Sequence, residues 1–221
     1  MEIQEYLPFW GKLTDAQRAL VRDTARPMQF ARGAVLHEGG TCTGLVIVTQ
    51  GRLRAYTLSG EGRELTLYRL LERDICLFSA SCALRGLDVD ITLSAETDTE
   101  ILLLPSEVFK ELQEQSAAVA GYANEMMATR FSDVMWLMDQ LLNRKLDSRL
   151  AAFLLEESNL EGAETLSITH ERIAAHMGSA REVVTRMLKY FQNEGLVQLG
   201  RGSVTLLDAD RLRAVAGDSL R

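Results

Sequence analysis

Short runs of alternating apolar and polar residues fill the first half of the chain, and glycines and polar turns separate them. The runs lie at residues 33–36, 44–48, 51–56, 64–68, 91–95 and 99–104. Regular short strands of this kind are typical of a β-sandwich or roll. A helical pattern from about residue 14 to 25 precedes them, with Thr14 as its predicted cap, and Pro27 ends it.

A long helical pattern follows over residues 116–143. An α-helix of about 28 residues is roughly 42 Å long. Residues at alternating spacings of four and three along this helix predict a coiled-coil seam at a dimer interface. They are Ala123, Met127, Arg130, Val134, Leu137 and Leu141.

The same helix carries a second apolar stripe, which consists of Tyr122, Met126, Phe131, Met135 and Met138. We expect this stripe to pack on the roll of its own or of a partner subunit, because a two-stranded seam is narrower than the combined apolar face. The alternative is a helix buried within one subunit. Residues 143–147 break the seam and predict a hinge, and Asp147 is the predicted cap of the next helix.

Residues 168–204 contain two short helical patterns, a glycine between them and a small hairpin. Thr169 is the predicted cap of the first helix, and Gly178 supplies a left-handed turn at which the second helix can start at a steep angle. Ser179 and Glu182 have the spacing of a capping box for that second helix. The residues expected on the inner faces are Ile173, Ala174, Met177, Val184, Met187, Leu188 and Phe191. Two strands joined by a glycine turn at residues 200–202 complete a winged helix-turn-helix.

The outer face of the second helix carries residue types that suit the base edges of a DNA major groove. An arginine can donate two parallel hydrogen bonds to guanine, and a glutamate can accept one from the amino group of cytosine. Arg201 at the hairpin tip is expected to meet phosphate. The alternative is a solvated basic face on which Glu182 only closes its capping box. The predicted DNA-binding residues are Thr169, Ser179, Arg181, Glu182, Thr185, Arg186, Lys189 and Arg201.

The segment Ser179-Ala180-Arg181-Glu182-Val183-Val184-Thr185-Arg186 resembles the recognition helix S/C-R-E-x-x-x-R of the cyclic-AMP receptor and fumarate-nitrate regulator (Crp/Fnr) family. Residues 35–40 and 44–54 resemble the cyclic-nucleotide-binding roll of the same family, so the resemblance covers nearly the whole chain. It implies an α+β fold with an effector-sensing jelly-roll domain (residues 1–115), a dimerisation helix (116–143) and a winged helix-turn-helix DNA-binding domain (144–221). It also implies a homodimer that controls transcription at a palindromic site in double-stranded DNA, with RNA polymerase as a further partner if it is an activator.

The net charge of −7 and the isoelectric point near 5.1 do not argue against DNA binding. Charge is screened beyond roughly 8 Å at physiological salt, so the local patch decides. Between residues 169 and 201 five basic residues outnumber three acidic ones. The sequence has no run of eighteen apolar residues and no basic leader with an apolar core, which predicts a cytoplasmic protein without a membrane partner.

In family members that bind cyclic AMP, a Gly-Glu pair, an Arg-Ser pair and a Thr-Ser pair hold the ligand. This chain has no Gly-Glu around Asp74, Val89-Asp90 at the Arg-Ser position and Val134-Met135 at the Thr-Ser position. An aspartate in place of a cation repels phosphate. We therefore expect no cyclic-AMP binding, and the effector stays open.

The three cysteines, Cys42, Cys76 and Cys82, are not expected to form a disulfide framework in a cytoplasmic protein. Residues 76–82 occupy the segment that lines the effector pocket in the family. Inert buried thiols are the simpler interpretation, and a redox sensor or enzyme with a reactive thiolate at Cys76 or Cys82 is the alternative. The residues predicted to line the pocket are Tyr68, Arg69, Cys76, Ser79, Ser81, Cys82 and Met135.

Other cofactors lack their residues in the sequence. An iron–sulfur cluster of the fumarate-nitrate regulator type needs four cysteines, three of them near the N-terminus, and none precedes Cys42. His37 is a lone histidine beside turn glycines, which disfavours haem. His170 and His176 are six residues apart, whereas a zinc-protease helix needs a spacing of four. With no catalytic or metal-binding constellation, we predict a transcription regulator rather than an enzyme; a ligand-binding module without specific DNA output is a further alternative.

Overall fold

The computed structural model describes residues 3–38, 44–76 and 90–220. The chain forms two compact units, each with a hydrophobic core of its own. The first unit comprises Met1–Leu58 and Leu67–Val134, and the second comprises Ser59–Thr66 and Met135–Arg221. Within the described ranges, no helix combines the length and apolar character that crossing a bilayer requires.

Helix α1 (Asp15–Thr24) precedes a roll of two four-stranded sheets. The strands are β1 (Arg26–Phe30), β2 (Val35–His37), β3 (Leu45–Gln50), β4 (Leu53–Leu58), β5 (Glu64–Leu70), β6 (Ile75–Cys76), β7 (Thr92–Ala95) and β8 (Thr99–Leu104). One sheet has the order β1-β8-β3-β6 and the other β2-β7-β4-β5. The predicted cap of α1 is confirmed, because Thr14 and Gln17 form a reciprocal capping box.

Strand β3 contributes to two cores, because successive side chains of a strand point to opposite faces. Val46 and Val48 are buried together with residues of the other sheet. Leu45 and Ile47 are buried with residues of the surrounding helices. Alternate residues of this strand therefore face two different cores. One core lies between the two sheets of the roll, and the other lies between the roll and the helices packed on it.

Two glycines of the roll are required by close packing. Gly44 and Gly51 have φ values of +126° and +86°, a backbone region that side chains rarely adopt. A Cβ atom on Gly44 would collide with the Leu104 carbonyl oxygen, and one on Gly51 with the Asp98 carbonyl oxygen. Both glycines stand in the segment that resembles the cyclic-nucleotide-binding roll, so their role there is explained by the fold.

The sequence pattern does not predict three elements of the first unit: β1, β6 and helix α2 (Ser106–Gln115). β1 is an edge strand with mostly exposed side chains, so it has no apolar alternation, and β6 has only two residues. The apolar residues of α2 are Val108, Phe109 and Leu112, which form too short a stripe to stand out.

Helix α3 (Ala117–Asn143) agrees with the predicted long helix to within one residue, but the predicted dimer seam is wrong over its first half. Ala123 is only 1% exposed and packs in the core of the first unit with Val119. The Arg130 guanidinium lies 4.4 Å from the centre of the Tyr68 ring and pairs with Asp133 at 3.0 Å. These residues therefore contact the roll of their own chain.

A different face of α3 is open. Phe131 is 67% exposed and Leu142 is 76% exposed, and Met135 and Met138 are also exposed. We call the following set the exposed stripe, because its members are all exposed and repeat at spacings of three and four: Gly121, Asn124, Ala128, Phe131, Met135, Met138 and Leu142. The predicted second stripe is split in turn, since Tyr122 and Met126 pack on the roll core while Phe131, Met135 and Met138 do not.

The second unit is mostly helical. Its elements after α3 are α4 (Leu146–Glu161), β9 (Thr165–Leu166), α5 (His170–Met177), α6 (Arg181–Asn193), β10 (Val197–Gly200), β11 (Ser203–Leu206) and α7 (Ala209–Ala216). The three strands form a sheet in the order β10-β11-β9. Neither β9, with two residues, nor α7, which Asp208 caps, is predicted from the sequence.

The predicted cap of α4 is wrong. Lys145 occupies the N-cap position without a side-chain bond, and the helix starts at Leu146. Asp147 lies inside the first turn, where its Oδ1 accepts from the Ser148 N–H at 2.8 Å. An acidic side chain in the first turn still stabilises the helix dipole, which explains why the residue type looked like a cap.

Candidate nucleic-acid interface

Helix α5 has a defined start and a defined end. Thr169 Oγ1 accepts a hydrogen bond from the Arg172 N–H at 3.1 Å, which confirms the predicted cap. At the other end Gly178 has φ +65°, and the Ser179 N–H donates to the Ala174 carbonyl oxygen at 3.0 Å. The left-handed glycine ends α5 and directs the chain into the next helix.

Helix α6 begins at Arg181, and the capping box predicted at its start is wrong. Ala180 occupies the N-cap position and makes no side-chain hydrogen bond. Ser179 stands one residue too early, because the turn that closes α5 includes it. Among the described residues the Glu182 carboxylate forms no hydrogen bond or ion pair. The simplest alternative role for Glu182, closing the capping box, is thereby removed.

The two faces of α6 have opposite character. Val184, Leu188 and Phe191 are fully buried in the core of the second unit. The outer face exposes Arg181, Glu182, Arg186 and Lys189, with Thr185 half-buried among them. No carboxylate in the described part of the chain pairs with Arg181 or Arg186. Their guanidinium donors stand on the N-terminal turns of the helix, where base readers of a helix-turn-helix are placed.

His170 at the start of α5 contacts the outer face of α6. Its Nδ1 lies 3.0 Å from the Thr185 hydroxyl oxygen. Burial lowers the pKa of His170 below its usual value, and the positive charges of Arg181 and Lys189 lower it further. In the sequence His170 suggests only a zinc ligand, because no local pattern shows that two residues fifteen positions apart will meet.

His176, the other histidine of α5, has different surroundings from His170. It is buried, its Nδ1 lies 2.9 Å from the Thr66 hydroxyl oxygen, and its ring lies 5.4 Å from that of Phe153. No cluster of three or more metal-binding side chains occurs in the part of the chain that the structure describes. The two histidines therefore make separate contacts, His170 with Thr185 and His176 with Thr66.

The predicted wing is present and is fixed to α6. Strands β10 and β11 pair antiparallel, with Gly200 opposite Ser203 and with Arg201 exposed at the tip. Gly202 has φ +75°, which the tight turn requires. The Gln192 side chain of α6 accepts from the Leu199 N–H at 3.1 Å. This bond holds the wing beside the helix that carries five of the other predicted DNA-binding residues.

Part of the predicted effector pocket comes together in the first unit. The Tyr68 hydroxyl oxygen lies 3.7 Å from the Cys76 Sγ, and the cation of Arg130 lies over the Tyr68 ring. Burial raises the pKa of Tyr68 well above its usual value, and the neighbouring Cys76 raises it further. Cys76 is fully buried, which is typical of an unreactive thiol.

Two further predicted pocket residues, Arg69 and Met135, have other surroundings. Arg69 forms an ion pair with the buried Glu96 at 2.9 Å, and Arg52 binds the same carboxylate oxygen at 3.0 Å. Met135 belongs to the exposed stripe of α3. The predicted pocket residues Ser79, Ser81 and Cys82, and also Cys42, lie outside the described residues.

Comparison with known proteins decides the family. A model of the cyclic nucleotide-binding domain matches residues 27–116, and a model of the Crp-like helix-turn-helix domain matches residues 148–215. The transcriptional regulator SdrP of Thermus thermophilus is 31% identical over 175 residues, which cover 76% of this chain and 82% of that protein. The chain belongs to the Crp/Fnr family of transcriptional regulators.

Two further Crp/Fnr proteins extend the comparison. The cyclic AMP receptor protein of Thermus thermophilus is 28% identical over 182 residues, 82% of this chain and 83% of that protein. A solved structure of a Crp/Fnr-family protein from Eubacterium rectale is 51% identical, covers 96% of this chain and 99% of that one, and superposes with a TM-score of 0.94. The family, the fold class and the DNA-binding helix-turn-helix predicted from the sequence are confirmed.

The two family matches leave residues 117–147 between them, which are α3 and the start of α4. All eight predicted DNA-binding residues lie inside the Crp-like helix-turn-helix match. The Crp/Fnr regulator therefore carries its Crp-like helix-turn-helix domain in the second unit and most of its cyclic-nucleotide-binding-type roll in the first.

Proposed function

We propose that this Crp/Fnr regulator is a homodimer that reads a palindromic DNA site with Arg181, Glu182 and Arg186 of α6. The observation that carries the proposal is the outer face of that helix. Its arginines and its glutamate are exposed, and no side chain of the described residues neutralises them. Exposed side chains that lack intramolecular partners lose little on exchanging water for base edges.

The proposed contacts divide by chemistry. Arg181 and Arg186 donate to the O6 and N7 of guanine, and Glu182 accepts from the N4 amino group of cytosine. For the half-buried Thr185 we propose a base contact through its hydroxyl or its methyl group. The remaining predicted residues, Thr169, Ser179, Lys189 and Arg201, contact phosphate and so position the protein without reading sequence.

The exposed stripe of α3 is the proposed dimer interface. Large apolar side chains in this number rarely face water on one helix, and a second copy of the helix would cover them. The spacing of three and four is that of a two-stranded coiled coil. A two-fold dimer presents two recognition helices about one DNA turn apart, which requires a palindromic site.

For the signal, we propose a small molecule other than cyclic AMP that acts through the first unit. The residues that hold cyclic AMP in the family are replaced in the sequence, and Asp90 stands where a cation is needed. A buried Cys76 in contact with Tyr68 favours a ligand over thiol oxidation at that residue, because oxidants need access to a thiolate. We propose no catalytic role, and a contact with RNA polymerase remains a prediction for an activator.

Selection of binding sites from random duplex DNA tests the proposal. We expect the wild type to enrich a palindrome, and Arg181→Ala to lose enrichment at the base pair that Arg181 contacts. Arg213→Ala is the matched control, because it removes the same charge from an exposed position on α7 and should leave the motif unchanged. Repeating the selection with oxidised wild type and oxidised Cys76→Ser tests the thiol alternative. A motif that is absent under all these conditions, or one that is the same in Arg181→Ala, contradicts the proposed readout.

A further inference from the structure

The contact between His170 and Thr185 joins the first residue of α5 to the outer face of α6. The two atoms, Nδ1 and Oγ1, are 3.0 Å apart, and both side chains are half-buried. A threonine hydroxyl on a helix surface otherwise rotates, or bonds to a carbonyl of its own helix. The histidine therefore selects one orientation for the side chain of Thr185.

The hydrogen-bond inventory of a hydroxyl gives this orientation a chemical consequence. A hydroxyl has one proton and two lone pairs, so an unrestrained threonine can either donate to a base or accept from one. If the hydroxyl donates its proton to a ring nitrogen, its oxygen can only accept hydrogen bonds from a base. The possible donors in the major groove are then the N6 amino group of adenine and the N4 amino group of cytosine.

The electrostatics around His170 favour this arrangement. The ring is kept neutral near pH 7, because burial and the charges of Arg181 and Lys189 lower its pKa. A neutral ring has one acceptor nitrogen. Both cations stand on α6, as Thr185 does, so they favour the tautomer whose lone pair, rather than whose N–H, faces α6.

We propose that His170 is a positioning residue for base recognition, which holds the Thr185 hydroxyl as an acceptor and so directs Thr185 to a base that carries an amino group. This inference rests on the proposed DNA readout by α6. It adds to that readout a residue of α5 that need not touch a base itself. Loss of His170 should free the Thr185 proton, allow donation to thymine O4 or guanine O6, and relax the sequence preference at one base pair of each half-site.

Affinities for a small set of duplexes test this inference. Thr185→Val, which removes the hydroxyl and keeps the shape, first identifies the base pair that Thr185 reads in the selected palindrome. Full-length variants are then titrated with four duplexes that differ only at this base pair, and with one unrelated duplex. His170→Ala removes the contact, and His170→Asn restores a polar group near the position of Nδ1. Glu171→Gln is the control for a change on the same exposed turn.

We expect His170→Ala and Thr185→Val each to lower the preference at this base pair about 5- to 10-fold, the effect of one hydrogen bond. The double variant should lose no more than either single variant, because both remove the same interaction. The preference of His170→Asn at this base pair should stay within about 2-fold of that of the wild type. None of the His170 and Thr185 variants should change its affinity for the unrelated duplex.

Two results would overturn the inference. One is a loss of affinity in His170→Ala that is equal for all duplexes, which indicates a phosphate contact or a structural role. The other is an unchanged preference in His170→Ala or in Thr185→Val. Either result leaves the proposed function intact if Arg181→Ala still loses its motif, so the two failures can be told apart.

Discussion

Helices α6 and α3 are both amphipathic, but only α6 has a single apolar stripe. Val184, Leu188 and Phe191 fill the core of the second unit, and the outer face carries Arg181, Glu182, Arg186 and Lys189. α3 is apolar on two faces, one packed on the roll and the other exposed. A single stripe identifies the inner face of a helix, whereas two stripes leave open which one its own chain covers.

The beginning of the exposed stripe explains why it is hard to find in the sequence. Gly121, Asn124 and Ala128 are small or polar, so the repeat has no apolar character before Phe131. The competing stripe starts with Ala123 and Met127 and looks more regular. Small residues let two helices approach closely, so the feature that hides the repeat also suits a helix pair.

The largest expected effect concerns the buried face of α6. Phe191→Ala should lower the free energy of unfolding of the second unit by about 3–5 kcal/mol, because it leaves a cavity in a fully packed core. Tyr190→Ala is the control: this neighbouring aromatic is 53% exposed and should cost less than about 1 kcal/mol. Chemical denaturation followed by circular dichroism measures both. Equal losses would contradict the assignment of the two faces.

The next effect concerns the exposed stripe of α3. Phe131→Asp should raise the dimer dissociation constant at least about 100-fold, because the dimer would contain the unpaired charge twice. Thr129→Asp places the same charge on the same helix outside the stripe and should leave the dimer intact. Sedimentation velocity over a range of concentrations measures the dissociation constant. A Phe131→Asp protein that dimerises like the wild type would show that the interface lies elsewhere.

The turn between α5 and α6 should tolerate substitution less well than another left-handed glycine. Gly178→Ala should cost about 1–2 kcal/mol for the left-handed backbone, with an additional cost because its Cβ would lie 2.9 Å from the Leu65 Cδ1. Gly162 has a similar φ of +62° with open space around it, so Gly162→Ala should cost only the backbone term. Thermal unfolding of both variants gives the difference. A larger loss in Gly162→Ala would contradict the packing of this turn.

The smallest expected effect separates a real cap from a predicted one. Thr169→Ala should destabilise the second unit by about 1 kcal/mol, since it removes the bond to the Arg172 N–H. Ser179→Ala should change stability by less than about 0.5 kcal/mol, because the structure places no capping bond there. The denaturant midpoints of the two variants measure these losses of stability. A clear loss of stability in Ser179→Ala would show that Ser179 does cap α6.

The sequence predicts features that depend on neighbouring residues better than features that depend on distant ones. Thr169, Gly178 and the wing turn at residues 200–202 follow from local backbone requirements, and the structure has them where they are predicted. The start of α6 moved by one residue, because the turn that closes α5 takes up Ser179.

Long-range contacts account for what the sequence did not predict. The contact of His170 with Thr185 and the pairing of Arg69 with Glu96 depend on how separate elements pack. For the same reason the burial of Ala123 and the contact of Arg130 with the Tyr68 ring could not be predicted from a helical spacing. The sequence shows which residue types could line the predicted pocket, but it does not show which side chains they contact.

The most direct test of the account is the affinity of the full-length protein for the selected palindrome and for a duplex in which one half-site is replaced by unrelated sequence. In the proposed dimer, two copies joined through α3 each read one half-site through α6. Replacing one half-site should therefore weaken binding at least about 100-fold in the wild type, since several matched base pairs are lost. Equal affinity for the two duplexes would contradict the claim that paired recognition helices read the DNA.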